Sequence, residues 1–133
     1  MDNFADMKKE DVFMLNGLTL AYIGDCVFEL LIRRKMIEQG ERKINILHKK
    51  TTAVVCARSQ AVLYDRIEGL LNEKESEILK RGRNANSSSV PKNCSVIEYR
   101  KATGIEALFG YLYLTGDNEK IESLITLAVT EKI

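Results

Sequence analysis

The chain has 133 residues, 45% hydrophobic and 29% charged, with 20 basic against 19 acidic residues and a net charge of +1; this is the make-up of one globular domain and excludes disordered, fibrous and disulfide-stapled classes. Three widely spaced cysteines and one histidine, His48, leave no ligand set for zinc. The longest apolar run is far short of the ~20 residues of a membrane span, and the N-terminus, Met1-Asp2-Asn3-Phe4-Ala5-Asp6, is acidic where a secretory signal is basic and then apolar, so the expectation is a cytosolic protein with no membrane partner.

Leu20, Ile23, Val27, Leu30 and Leu31 recur at three- and four-residue spacing, which predicts a helix capped by Asn16 and ending before Gly40. A second long helix is predicted after Asn45, through Leu47, Val54, Val55, Ala61, Val62 and Leu63 to about Glu68, with Gly69 as its stop. Cys26 and Cys56 fall inside these two patterns and read as small buried hydrophobes. Asn72, with Glu75 three residues on, has the form of a capping box opening a short polar helix through Lys80. Residues 84–93 hold the one proline and the densest Asn/Ser cluster, and predict a loop. Helices over residues 99–114, closed by Gly116, and 118–131 complete the chain. No segment alternates at period two, so the expected fold is all-α, one domain over residues 1–133.

Two of these helices carry a carboxylate beside glycine in an apolar setting. Asp25 follows Gly24 and is flanked by Ile23 and Val27; Glu106 lies between Ile105 and Leu108, with Gly110 one turn later. An ionised carboxylate among apolar residues is costly unless a cation, hydrogen bonds or a partner compensates it. Helices notched by glycine can cross closely, which would bring the two acids to one divalent metal. Pattern alone leaves open that Asp25 pairs with a basic residue and that Glu106 is a half-exposed acid.

Charge is unevenly spread. Residues 80–101 hold six basic side chains against one acid, Glu98, a local charge of +5; a second basic stretch runs from Arg33-Arg34-Lys35 through Arg42-Lys43 to Lys49-Lys50. Such zones on a nearly neutral protein point to an anionic partner met at a defined surface. Arg, Lys, Asn and Ser are the side chains that contact nucleic-acid phosphates, and Arg81, Arg83, Asn84 and Lys92 are the candidate contacts to such an anionic backbone. The loop has no aromatic residues for stacking on single strands, so a duplex suits it better. One histidine, no glycine-rich phosphate loop and no HExxH leave other chemistries without parts. His48 reads as a surface or boundary residue.

Leu20-Ala21-Tyr22-Ile23-Gly24-Asp25-Cys26-Val27 resembles the signature helix of the ribonuclease III family, and Glu106-Ala107-Leu108-Phe109-Gly110-Tyr111-Leu112-Tyr113-Leu114 resembles its second acidic helix. The two occur in the family's order, with the basic loop between them. The family's additional acids are absent, since Leu18, Ala21 and Thr103 stand in their places. Together with Arg81-Gly82-Arg83-Asn84-Ala85 and the shortness of the chain, this is similar to the minimal Mini-ribonuclease III branch, which has no double-stranded-RNA-binding domain. The resemblance implies an all-α ribonuclease III bundle and Asp25 and Glu106 as catalytic residues and ligands of Mg²⁺, with Mn²⁺ able to substitute. It also implies cleavage of double-stranded RNA, here precursor of large-subunit ribosomal RNA, by a homodimer; apolar surface around Cys26, Phe28, Leu31 and the late tyrosines agrees with a subunit contact. Given the missing acids, the alternatives are a catalytically silent RNA-binding or ribosome-assembly protein on the same fold and a helical protein-interaction module.

Overall fold

The computed structural model describes residues 6–85 and 90–130, and every regular element among them is helical. α1 spans Lys9–Phe13, α2 Gly17–Glu38, α3 Ile44–Val55, α4 Ala57–Ile67, α5 Glu73–Arg83, α6 Val96–Leu114 and α7 Asn118–Val129, with a 3-10 turn at Glu68–Leu70. No helix among the described residues is long and apolar enough to cross a membrane.

α6 is the axis of the fold. It packs against α2, α4 and α5, and from Ala102 to Leu112 every residue but Glu106 is buried, as expected of a helix apolar on all sides. Phe109 meets Phe28 of α2 edge to face, with ring centroids 5.0 Å apart, a favoured aromatic geometry. Glycines let the neighbours close in. A Cβ on Gly104 would stand 2.7 Å from the Leu79 carbonyl of α5, and one on Gly110 would overlap the Leu20 carbonyl of α2.

The local start signals hold. Asn16 accepts from the Thr19 amide at 2.8 Å to cap α2, and Asn72 with Glu75 forms the expected capping box of α5. Gly40 and Gly116 both take positive φ just past helix ends, the role of a C-terminal glycine. α6 begins earlier than expected because Ser95 and Glu98 form a second capping box. The end of the last predicted helix, at position 131, and part of the predicted loop, residues 86–89, lie outside the described residues.

The predicted second helix is two helices. Cys56 is extended at φ −67°, ψ 158°, after the β-branched run Thr51-Thr52-Ala53-Val54-Val55, whose branched residues favour helix weakly. Ser59 closes the corner by donating its hydroxyl to the Ala53 carbonyl at 2.5 Å. The break changes which residues are covered: Cys56 and Val62 are exposed, and Gln60 is buried. On α2 likewise Cys26 and Leu30 face outward, whereas Phe28 and Tyr111, expected at a subunit surface, belong to the core. Periodicity locates a stripe but does not say how wide a face the neighbours cover.

Candidate active site

α2 and α6 cross at their glycines. A Cβ on Gly24 would overlap the main-chain carbonyl of Glu106 and stand 2.7 Å from the Gly110 amide nitrogen. The backbones are therefore in contact where each helix carries its acid. Asp25 is exposed, contrary to its apolar surroundings in the sequence, while Glu106 is the one charged residue in the covered run of α6.

The two carboxyl groups interact directly. Burial, the negative charge of Asp25 and a hydrogen bond shared with it push the Glu106 carboxyl up to about 8, against 4.5 for an ordinary glutamate; a hydrogen bond from Gln60 acts in the opposite sense. A carboxyl group partly withdrawn from water beside a second carboxylate holds a proton until a cation replaces it. Among the described residues no group of three or more His, Cys, Asp or Glu lies together, so the protein offers a pair. An all-oxygen pair fits Mg²⁺ or Mn²⁺, which take oxygen ligands and commonly use one or two protein carboxylates with water and phosphate. Asp25 and Glu106 would hold such an ion.

The positions lacking the family's further acids carry other work. Thr103 is buried and donates its hydroxyl to the Tyr99 carbonyl at 3.0 Å, and Ala21 is buried in the α2 face. Gln60 was not singled out by sequence. Its signal is there: Gln60, Leu63, Tyr64 and Ile67 keep helical spacing on one covered face, and a polar residue in that series calls for a partner.

The candidate RNA contacts separate into two kinds. Arg81 donates to the carbonyls of Phe13 and Leu15 at 2.5 and 2.8 Å, pairs with Glu77 at 3.0 Å and lies over the Phe13 ring at 4.8 Å. It ties α5 to the link between α1 and α2. Arg83 donates to the Tyr64 hydroxyl at 3.0 Å and to the Asn84 side chain at 3.2 Å. Asn84 and Lys92, by contrast, are exposed. Asn84 and Arg81 also line an open groove of about 760 Å³ with Asn16, Leu18 and Tyr22, and Tyr22 lies one turn before Asp25. In the second basic stretch Arg33, Arg34 and Lys35 pair with Glu29, Glu38 and Glu122, leaving exposed cations mainly on α3, at Lys49 and Lys50.

Comparison with known proteins agrees with this arrangement. A ribonuclease III domain model matches residues 18–117. The Mini-ribonuclease 3 of Thermoanaerobacter sp. (strain X514) is 45% identical over 129 residues, which cover 97% of this chain and 91% of that protein. The Mini-ribonuclease 3 of Streptococcus pneumoniae is 46% identical over 121 residues, 90% of this chain and 94% of that one. A solved crystal structure of a Fusobacterium nucleatum protein superposes with a TM-score of 0.80 at 37% identity, covering 86% of this chain and 93% of that chain.

Proposed function

Because the chain belongs to the Mini-ribonuclease III branch of the ribonuclease III family, we propose that it is a Mg²⁺-dependent endoribonuclease that cleaves double-stranded RNA. The observation that carries this reading is the meeting of Asp25 and Glu106 across a crossing that only glycine permits. A divalent cation held by the pair supplies an activated water and neutralises phosphate charge, the needs of phosphodiester hydrolysis. Asp25 offers its carboxylate from the solvent side, where a phosphate can approach. Glu106 holds a proton in the cation-free protein and releases it when the cation binds.

Asn84 and Lys92 supply exposed contacts for the RNA backbone, while Arg81 and Arg83 set the end of α5 from which the basic loop departs. The substrate is precursor of large-subunit ribosomal RNA, processed in the cytoplasm. The active form is a homodimer, supported by the apolar residues on the outer face of α2, with Tyr22 82% and Leu30 66% exposed, since large apolar side chains clustered on a surface mark interaction sites.

Cleavage of a hairpin RNA with Mg²⁺ and with EDTA tests the activity. Asp25→Asn and Glu106→Gln are expected to lose cleavage by at least ~1,000-fold, a loss on the scale of removing a central catalytic group, while still binding the duplex. Metal-dependent cleavage by either purified variant at the wild-type rate would remove these residues from the centre of the reaction. Duplex binding by a wild-type protein that cleaves nothing would favour the catalytically silent alternative.

A further inference from the structure

Tyr64 of α4 is only 1% exposed, yet two cations from other helices meet at its ring. Arg83, at the end of α5, donates to the Tyr64 hydroxyl at 3.0 Å and places its guanidinium 6.0 Å from the ring centre. Lys101, on α6, holds its ammonium 5.6 Å from the same centre, and both distances are within reach of cation–π attraction. Gly104 lets the three helices converge here, since a Cβ on it would stand 3.2 Å from the Tyr64 ring and 3.4 Å from the Arg83 amide nitrogen. Two like charges gathered on one buried ring repel each other unless an anion answers them. The neighbouring carboxylates answer in part: Glu77 is paired with Arg81, and Asp65 with Lys101 at 2.7 Å. Arg83 is half-buried and its acceptors, Tyr64 and Asn84, are both neutral. Asp65 is the more exposed member of its pair, 58% against 26% for Lys101, and an ion pair open to water is weak enough to yield to a competing anion. The cluster also continues the basic loop, because Arg83 directly precedes Asn84, where the loop leaves α5, and Lys101 lies roughly 7.5 Å of helix rise before Glu106.

Resting on the reading of the protein as a nuclease of duplex RNA, we propose that Arg83 and Lys101 form a subsite for a backbone phosphate flanking the cleaved one, and that Asp65 holds Lys101 until that phosphate displaces it. Tyr64 touches no RNA; it fixes Arg83 through its hydroxyl and supports both cations through its ring. The exchange trades one anion for another, so Lys101 keeps a partner throughout. Such a subsite reads charge and not base sequence.

The experiment is binding of a blunt RNA duplex in EDTA over a series of KCl concentrations, with a melting curve for each variant. Lys101→Met and Arg83→Gln are each expected to weaken binding and to lower the salt slope by about 1. Asp65→Asn removes the competing carboxylate and is expected to tighten binding about 5-fold, on the scale of an exposed ion pair. Glu119→Gln makes the same change of charge at an exposed site on α7 and is expected to leave affinity unchanged. A cluster that served only to tie helices together would respond to Asp65→Asn with a lower melting temperature and no gain in binding. An unchanged slope in Lys101→Met or Arg83→Gln, or an Asp65→Asn protein that binds no better than Glu119→Gln, overturns the proposal and leaves the nuclease reading standing. A wild-type protein that neither binds nor cleaves the duplex overturns both. Should Arg83→Gln fail to fold, Lys101→Met and Asp65→Asn decide.

Discussion

Gly24 lies flush against the main-chain carbonyl of Glu106, so the residue beside one carboxylate is also the seat of the other. The obstacle to any side chain at position 24 is backbone, which cannot rotate away. Gly24→Ala and Gly110→Ala are therefore expected to destabilise the protein by more than about 3 kcal/mol, at the severe end for overpacked sites. Gly69, with nothing within 4 Å of an added Cβ, is the control, and Gly69→Ala should stay within about 0.5 kcal/mol. Denaturant melts of the three variants measure this. A Gly24→Ala protein as stable as wild type would show that α2 and α6 can separate freely.

The shared proton makes stability depend on pH. The Glu106 carboxyl is raised to about 8 from 4.5, so between those values the folded chain keeps a proton that the unfolded chain has lost. The contribution of Glu106 to the stability of the cation-free protein is fully present below pH 4.5, declines as pH rises, and is lost above about pH 8. The part due to Glu106 is on the order of 5 kcal/mol, or roughly 20 °C in melting temperature for a chain of this size. Glu106→Gln removes this dependence, and Mg²⁺ restores wild-type stability most at the alkaline end. Melting curves from pH 5 to 9, with EDTA and with Mg²⁺, are the measurement. Parallel wild-type and Glu106→Gln profiles would contradict the buried proton.

Arg81 and Lys92 should fail in different ways. Arg81→Ala strips the Phe13 and Leu15 carbonyls of their donor and should cost about 2 kcal/mol of stability. Lys92→Ala should leave the melting temperature alone and lower the salt slope of duplex RNA binding by about 1. An Arg81→Ala protein with an unchanged melting temperature would argue against its structural use; an unchanged slope in Lys92→Ala would place the RNA contact elsewhere.

The outer face of α2 provides the test of assembly. Replacing Tyr22 and Leu30 together by alanine removes two large exposed apolar side chains and should turn a wild-type dimer into a monomer in sedimentation velocity runs at equal concentration. A wild-type chain that sediments as a monomer at every concentration would remove the homodimer from the functional reading.

Much of the fold was legible locally because its signals are local. Asn16 and Asn72 cap their helices by accepting from amides three residues on, Glu75 accepts in return from the Asn72 amide, and Gly40 and Gly116 end helices through their own φ. Ser95 and Glu98 carry the same kind of signal for α6. The corner at Cys56 was not legible, because hydrophobic spacing continues across it almost unbroken.

By itself the sequence determined the two carboxylates, the glycines beside them and their order along the chain, since side-chain chemistry and helical spacing are written residue by residue. Only the tertiary structure decided that Asp25 faces solvent while the half-buried Glu106 beside it keeps the proton, and that Arg81 is spent on the carbonyls of Phe13 and Leu15. Burial and pairing belong to crossings between segments far apart in the chain, and those crossings set the local dielectric and the partners available to each charge.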